Sequence, residues 1–200
     1  MGVSLERPDR AEARSWWPTA PFDARSGSVR AARLTAGLVV VGLAAIVAIS
    51  GGSVTGALAV GAMVPAAYVD VRERRLPDAL VSCSAVVLAI ATTAAWALGQ
   101  PMPITSMALG AVTMGAPILA LHLVSPASMG FGDVKAALVL GAAVGTADWR
   151  AALMALFVAS AVGAASGVIR RRPTIAFGPH LVVGSAIALV LHPLVLRGAG

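Results

Sequence analysis

Two aspartates stand at the ends of long apolar segments and could act together in acid–base chemistry. Asp70 follows an apolar stretch that ends in Tyr68-Val69, and Asp133 precedes another that begins at Val134. Two carboxylates can hydrolyse a peptide bond when the ionised one takes a proton from water and the protonated one polarises the carbonyl. Neighbouring carboxylates share one proton, because both ionise together only at a high cost. The pair is therefore a candidate catalytic dyad.

The loop that starts at the first aspartate reads Asp70-Val71-Arg72-Glu73-Arg74-Arg75-Leu76-Pro77-Asp78. Pro77 disfavours helical geometry in the residue before it and ends any continuation of the helix. Asp78 is suited to cap or begin the next helix. At a helix C-terminus the macrodipole disfavours an ionised Asp70, which assigns the shared proton to Asp70. The structural alternative is an exposed, weak ion pair of Asp70 with Arg72 or Arg74.

The second aspartate belongs to the segment Met129-Gly130-Phe131-Gly132-Asp133-Val134-Lys135. Gly130 and Gly132 allow a tight backbone path and the close approach of another chain segment. Asp133 would serve as an N-cap in the simplest interpretation. The apolar run at 134–147 would rise only about 21 Å at 1.5 Å per residue, less than the roughly 30 Å of a hydrocarbon core. This short run predicts that Asp133 lies at membrane depth, where ionisable groups are functional candidates.

A third polar segment joins an arginine cluster, Arg170-Arg171-Arg172, to Phe177-Gly178-Pro179-His180. The arginines are typical of an anchor at the inner membrane face. Phe177-Gly178-Pro179 begins the last apolar run, and proline suits the first turn of a helix. His180 could titrate near neutrality or be an ordinary polar residue at a helix end.

The composition identifies the compartment in which these residues act. The chain is 58% hydrophobic and 12% charged, with a mean hydropathy of +0.86, which is typical of a polytopic membrane protein. The basic residues flank apolar runs, so they favour an orienting role over nucleic-acid binding. Cys83 lies inside an apolar run and is predicted to be a small buried packing residue.

Seven apolar runs predict an all-α protein with about seven transmembrane helices. They cover residues 34–50, 53–69, 78–98, 104–124, 134–147, 150–169 and 178–196. Residues 1–33 are polar and rich in arginine, which predicts a flexible cytosolic tail ahead of a transmembrane domain at 34–200 in contact with lipid.

The distribution of Lys and Arg orients these runs. With the N-terminus inside, only Arg150 and Arg197 of the 15 basic residues face outward, and 15 − 2 leaves 13 on the inner side. The positive-inside rule then predicts an inner N-terminus and an outer C-terminus. All three polar segments lie together on the cytosolic face in this topology.

The three segments, in this order, resemble the signature blocks of type IV prepilin peptidases. These enzymes are GxGD aspartic proteases, a group that also includes archaeal preflagellin peptidases and presenilin. The resemblance covers about residues 55–196. It implies that Asp70 and Asp133 are the catalytic dyad, and that the remaining matched positions form the active-site loops. Those positions are Arg72, Pro77, Asp78, Gly130, Phe131, Gly132, Lys135, Phe177, Gly178 and Pro179.

The family resemblance also implies a substrate and a location. The substrate would be a prepilin or pseudopilin, cut at the cytosolic surface of the bacterial inner membrane after a short basic leader. No metal and no cofactor are expected. The chain has no cysteine-bearing insert of the kind linked to N-methylation, so it is similar to the short forms associated with Flp/Tad-type pili. Residue 78 is Asp, where many members have Asn.

Other functions remain open at this stage. A rhomboid-like serine protease would use Ser166 with His180 or His192, although a serine in an Ala- and Gly-rich helix more often serves packing. A zinc protease would need a His-Glu-x-x-His run, which the sequence lacks. A proton-coupled transporter could use Asp70 and Asp133 as membrane acids. A non-enzymatic scaffold of a pilus or secretion system would need neither.

Overall fold

The chain folds into helices alone throughout the part that the structure describes. The computed structural model describes residues 41–49, 52–73, 76–126, 129–170 and 177–198. The helices are α1, described over 41–49, α2 (Val54–Glu73), α3 (Asp78–Ala97), α4 (Ile104–Val124), α5 (Phe131–Gly145), α6 (Trp149–Arg170) and α7 (Gly178–Gly198). The all-α prediction is confirmed. The predicted tail at 1–33 lies outside the described residues.

The helices have the length and polarity of membrane spans. Within the described ranges, α2, α3, α4, α6 and α7 are each long and apolar enough to cross a bilayer. Helix α5 has 15 residues, which corresponds to a rise of about 22 Å, so it is as short as the sequence indicated. The protein is a multi-pass membrane protein. Complete crossing by α1 and α5 stays a prediction.

The short helix α5 lies at the centre of the bundle. It contacts α2, α3, α4, α6 and α7. Small residues allow this crowding: Gly141 of α5 and Gly110 of α4 pack backbone against backbone, and a Cβ on either would collide with the carbonyl oxygen of the other. Gly56 of α2 approaches the Ala143 carbonyl of α5 in the same way. Helices in lipid associate through such close packing, and here it fixes the depth and rotation of α5.

Two helix boundaries differ from the sequence prediction. Helix α2 does not end at Asp70 but continues to Glu73, because no residue before Leu76-Pro77 breaks it. Helix α5 begins at Phe131 with Gly130 as its N-cap, so the N-cap interpretation of Asp133 is wrong. A three-residue shift of the helix start places Asp133 inside the first turn.

Cys83 is exposed, and the prediction of a buried packing residue is wrong. Helix α3 lies at the margin of the bundle and contacts only α2 and α5 among the described helices. Most of its surface therefore faces outward, and an apolar sequence alone does not distinguish a lipid-facing position from a buried one.

Candidate active site

Asp70 occupies a buried position near the end of α2. The side chain is only 5% exposed, because the last turns of α2 pack against the start of α7. A Cβ built on Gly178 would lie 2.8 Å from Asp70 Oδ2, so the carboxylate lies directly against this backbone. The Gly178 N–H faces the carboxylate and interacts with it. Only a residue without a side chain permits this approach.

Asp133 is the third residue of α5 and is partly buried. The backbone of Gly130, at the N-cap, interacts with its carboxylate. An acidic residue at this position of a helix commonly reaches back to the N-cap N–H. The backbone at the start of α5 thus interacts with one oxygen of the Asp133 carboxylate, and the other oxygen does not take part in this interaction.

The two carboxylates form one electrostatic unit. Asp70 and Asp133 are near enough for the charge of the first to act on the second. Asp70 Oδ2 and Asp133 Oδ1 are both buried, and neither has a hydrogen-bond partner of good geometry among the described residues. Buried polar atoms in native proteins are nearly always satisfied. A carboxylate pair with one unsatisfied oxygen on each side is suited to hold a proton, a water molecule or a substrate carbonyl.

Leu76 connects the three predicted segments. A Cβ on Gly132 would lie 3.1 Å from Leu76 Cβ, and a Cβ on Gly178 would lie 3.2 Å from Leu76 Cδ1. The leucine therefore packs between the start of α5 and the start of α7, just beyond the end of α2. Leu76 is not among the site residues predicted from the sequence. The available signal was a single apolar residue between a charged run and Pro77.

The start of α7 follows the sequence prediction. Phe177 precedes the helix, and its carbonyl accepts the N–H groups of His180 at 3.0 Å and Leu181 at 3.1 Å. Pro179 lies in the first turn, where its missing N–H does not interrupt the helix. Phe177 packs against the hydrophobic core, which anchors the turn that presents Gly178 to Asp70.

Several residues assigned to the active-site loops lie at the edge of the site. Lys135 Nζ donates a hydrogen bond to Asp78 Oδ1 at 2.9 Å, with the side chains 40% and 70% exposed. The same ammonium lies 5.3 Å from the centre of the exposed Phe131 ring. Arg72 lies 4.9 Å over the ring of Tyr68. An exposed ion pair between Lys135 and Asp78 thus connects α5 to α3.

The positions of Asp78 and Arg72 test two expectations from the sequence. Asp78 was expected to cap or begin a helix, and it is the first residue of α3, while Pro77 is the N-cap. The alternative ion pair between Asp70 and Arg72 is not formed among the described residues, where the guanidinium lies over Tyr68 instead. The other proposed partner, Arg74, lies outside the described residues. The burial of Asp70 is therefore not explained by pairing with Arg72.

Ser166 of α6 and His180 of α7 are in contact. Ser166 Oγ lies 2.9 Å from His180 Nε2 and donates to the Gly163 carbonyl at 2.8 Å. A serine nucleophile must give its proton to the histidine. The Gly163 carbonyl therefore competes with the imidazole for the single hydroxyl proton of Ser166.

The fold and the site together define a class: a multi-pass helical membrane protein with a pair of acidic side chains on neighbouring helices. The model of the Type IV leader peptidase family matches residues 57–168. This match covers more than half of the chain, so the protein belongs to that family and is an aspartic peptidase of the prepilin type. Comparisons with curated proteins and with solved structures gave no match. The matched region contains both aspartates and ends before Phe177.

Proposed function

We propose that this protein is an intramembrane aspartic endopeptidase that removes the short basic leader of a prepilin or pseudopilin, with Asp70 and Asp133 as its catalytic pair. The observation that carries the proposal is that the carboxylates of Asp70 on α2 and Asp133 on α5 interact electrostatically, and that each has a buried oxygen without a hydrogen-bond partner among the described residues. Membership in the type IV leader peptidase family supports the same substrate class.

The chemistry uses one proton shared between the two side chains. The ionised carboxylate removes a proton from water, and the resulting hydroxide attacks the carbonyl carbon of the scissile peptide bond. The protonated carboxylate polarises the carbonyl oxygen. When the tetrahedral intermediate collapses, the C–N bond breaks and the leaving amine takes a proton from the pair. One carboxylic acid and one carboxylate remain, so the pair is ready for another cycle.

The loop residues form the rim of this site in our proposal. Gly132 allows the start of α5 to approach Leu76, and Gly178 allows α7 to approach Asp70. Gly130 is the N-cap of α5. Phe131, Lys135 and the remaining rim positions would contact the substrate segment that enters the site. Those positions are Arg72, Pro77, Asp78, Phe177 and Pro179.

The location of the site supports a particular order of substrate segments. The asymmetry of basic residues, 15 − 2 = 13 on the inner side against 2 outside, supports a position of the aspartates at the cytosolic side of the membrane, which for this family would be the bacterial inner membrane. A substrate with a basic leader and an apolar helix would keep its leader in the cytosol and its helix in lipid. The cut would then fall at the inner interface, level with the carboxylates.

Reconstitution tests the proposed reaction. Purified protein in liposomes is mixed with a co-reconstituted Flp-type prepilin, and the new N-terminus is read by mass spectrometry. We expect release of the intact leader without methylation of the product, as for a short form. A secretory precursor should stay uncut, because its cleavage site emerges on the outer face. Cleavage of the secretory precursor, or none of the prepilin, would contradict the proposal.

The contact between Ser166 and His180 requires that a serine mechanism be tested in the same assay. A serine peptidase would lose all measurable cleavage on Ser166→Ala. The carboxylate mechanism predicts that this variant still cuts the prepilin. Complete loss of cleavage by Ser166→Ala, in a protein that remains folded, would overturn the aspartate assignment.

Reporter fusions test the proposed topology. A reporter fused after Arg75 or Arg172 should be cytosolic, and a reporter at Gly200 should be outside. The basis is the same asymmetry of Lys and Arg. A cytosolic reporter at Gly200 would show that one helix does not cross, and the short α5 would be the first candidate.

A further inference from the structure

The last turn of α4 contains a histidine, His122, that reaches the connection to α5. His122 Nδ1 lies 2.6 Å from the backbone carbonyl oxygen of Met129. A carbonyl oxygen can only accept a hydrogen bond, so the imidazole donates through Nδ1–H. Met129 directly precedes Gly130, the N-cap of α5. The histidine therefore holds the backbone at the point where the helix that carries Asp133 begins.

Met129 is held from several sides. Its side chain is 7% exposed and belongs to the hydrophobic core. Its N–H donates to the Ser125 carbonyl at 3.3 Å, and the Ser125 N–H donates to the Leu121 carbonyl at 2.9 Å, at the end of α4. The carbonyl of Met129 is the polar group that His122 satisfies. A side chain of α4 and the connecting backbone thus bind this residue together.

The Met129 carbonyl and the Gly130 N–H belong to one peptide unit. No described residue has a cis peptide bond, and a trans unit is planar, with its C=O and N–H pointing to opposite sides. On the N–H side, a Cβ built on Gly130 would lie 3.8 Å from Asp133 Oδ2, and the Gly130 backbone interacts with that carboxylate. The orientation of a single peptide plane therefore links His122 to Asp133.

Gly130 makes this orientation depend on an outside contact. Its φ of −69° and ψ of 145° are open to any residue, so the conformation itself does not require glycine. Glycine, however, restricts its own backbone less than other residues do. Gly130 is also exposed, and it has no side chain that packing could hold. The hydrogen bond from His122 supplies a restraint that the residue itself lacks.

The imidazole has a second contact, with the ring of Phe131. The two ring centres are 5.5 Å apart and the planes are tilted by 49°. Phe131 is 52% exposed, and Lys135 Nζ lies 5.3 Å from the centre of the same ring. This contact orders a side chain at the rim, whereas the hydrogen bond to Met129 orders the backbone next to the carboxylate. The two contacts make different predictions when the donor and the ring are removed separately.

We propose that His122 is a positioning residue of the aspartic peptidase, whose Nδ1–H holds the Met129–Gly130 peptide plane so that the Gly130 N–H faces the carboxylate of Asp133. This inference rests on the proposed function, since it gives His122 a role in presenting one member of the catalytic pair. The held plane fixes one oxygen of Asp133 at the start of α5 and keeps the other in place for the reaction. His122 itself contacts neither the substrate nor the reacting atoms.

The test separates the donor of His122 from its ring. His122→Asn keeps an N–H donor near the position of Nδ1 and lacks the ring, whereas His122→Phe keeps a ring beside Phe131 and lacks the donor. In the liposome cleavage assay we expect His122→Phe to lower kcat by about 10- to 100-fold, as for a displacement approaching 1 Å, with KM unchanged. His122→Asn should stay close to the wild-type kcat.

His192→Phe is the matched control at the opposite end of the bundle. His192 is also a partly buried histidine near the end of a helix, and its Nε2 lies 3.7 Å from Asp148 Oδ2. This variant loses a polar contact of the same residue type without touching the start of α5, and it should keep the wild-type kcat. An equal fall of kcat in His192→Phe and His122→Phe would overturn the inference, because loss of packing would then explain both.

The amide of Gly130 gives a readout that does not depend on cleavage. In protein with isotopically labelled glycine, the Gly130 N–H resonance is assigned by its loss in Gly130→Ala. We expect this resonance to keep its position in His122→Asn and to move in His122→Phe, because only the second variant releases the peptide plane. An unmoved resonance in His122→Phe would overturn the inference.

The cleavage rates can also contradict it. Wild-type kcat in His122→Phe would show that the donor is not needed, and a kcat in His122→Asn no better than in His122→Phe would show that the donor alone does not restore the site. A rise in KM with kcat unchanged would overturn the inference as well, since that pattern indicates a substrate contact. Failure of the wild-type protein to cut any prepilin would instead refute the proposed function, and the Gly130 resonance would still decide whether His122 holds the peptide plane.

Discussion

The aspartates at the two ends of the helical bundle differ in how fully their carboxylates are hydrogen-bonded. At the end described above, Asp70 and Asp133 each keep a buried oxygen without a partner among the described residues. At the other end of α5, Asp148 accepts the Arg150 N–H at 2.8 Å and lies 3.7 Å from His192 Nε2. Both ends have an aspartate near the start of a helix, yet only one leaves its carboxylate unsatisfied.

The hydroxyl groups at the Asp148 end reinforce the contrast. Ser53 Oγ lies 2.6 Å from Thr146 Oγ1 and 2.8 Å from Thr55 Oγ1, and Thr146 donates to the Ala143 carbonyl at 2.6 Å. These polar groups satisfy one another and connect α2 to the end of α5. Satisfied groups stabilise the fold, whereas unsatisfied buried carboxylates cost stability. The loss of stability from unsatisfied carboxylates is therefore confined to the end that contains the proposed catalytic pair.

Isosteric replacement of the two site aspartates should have the largest effect. Asp70→Asn and Asp133→Asn each remove an ionisable oxygen while keeping the shape. We expect prepilin cleavage to fall by about 10²- to 10⁴-fold at unchanged membrane levels, measured as the initial rate of leader release. Asp148→Asn is the control at the opposite end and should keep its activity. Normal cleavage by either site variant would show that the two ends of the bundle do not differ in catalytic role.

The next effect concerns the backbone that faces Asp70. In Gly178→Ala the new Cβ would lie 2.8 Å from Asp70 Oδ2 and 3.2 Å from Leu76 Cδ1, so the carboxylate must move. A misplacement of about 1 Å can cost about 100-fold in rate, and we expect kcat to fall on that scale. Gly42→Ala, where nothing lies within 4 Å of the new Cβ, is the matched control. Equal rates in the two variants would show that Asp70 does not need this contact.

A glycine that packs helices should affect stability and leave the chemistry intact. In Gly141→Ala the added Cβ collides with the Gly110 carbonyl, and backbone atoms yield less readily than side chains. We expect a loss of about 1–3 kcal/mol in the free energy of unfolding, measured by titration in mixed detergent micelles. Cleavage per folded molecule should stay near the wild-type value. Unchanged stability would mean that α4 and α5 separate easily at this point.

The smallest effect belongs to the exposed ion pair at the edge of the site. Asp78→Asn removes the charge that Lys135 Nζ contacts at 2.9 Å, and exposed pairs contribute about 0–1 kcal/mol. We expect a change in stability within that range, which shrinks further in high salt, and near-normal cleavage. A loss of cleavage as deep as that of Asp133→Asn would move Asp78 from the rim into the reaction.

The sequence by itself determined the helical membrane fold and the segments that contain the site. An apolar run in lipid must satisfy its backbone internally, so the hydropathy pattern left little choice but helices, and most of their bounds were predicted within a few residues. The order of the three polar segments gave the family, and the family match covers both aspartates. These inferences depend only on the hydropathy of each segment and on the order of the residues in the chain.

Only the tertiary structure decided which polar groups meet. No local signal indicated that Leu76 would pack between Gly132 and Gly178, or that Ser166 would contact His180. Each of these contacts joins segments that are distant in sequence, and it depends on how closely glycine backbones let the helices approach. The burial of a carboxylate and its electrostatic environment depend on all the segments that pack around it. The surroundings of the two aspartates therefore follow from packing and not from their positions in the chain.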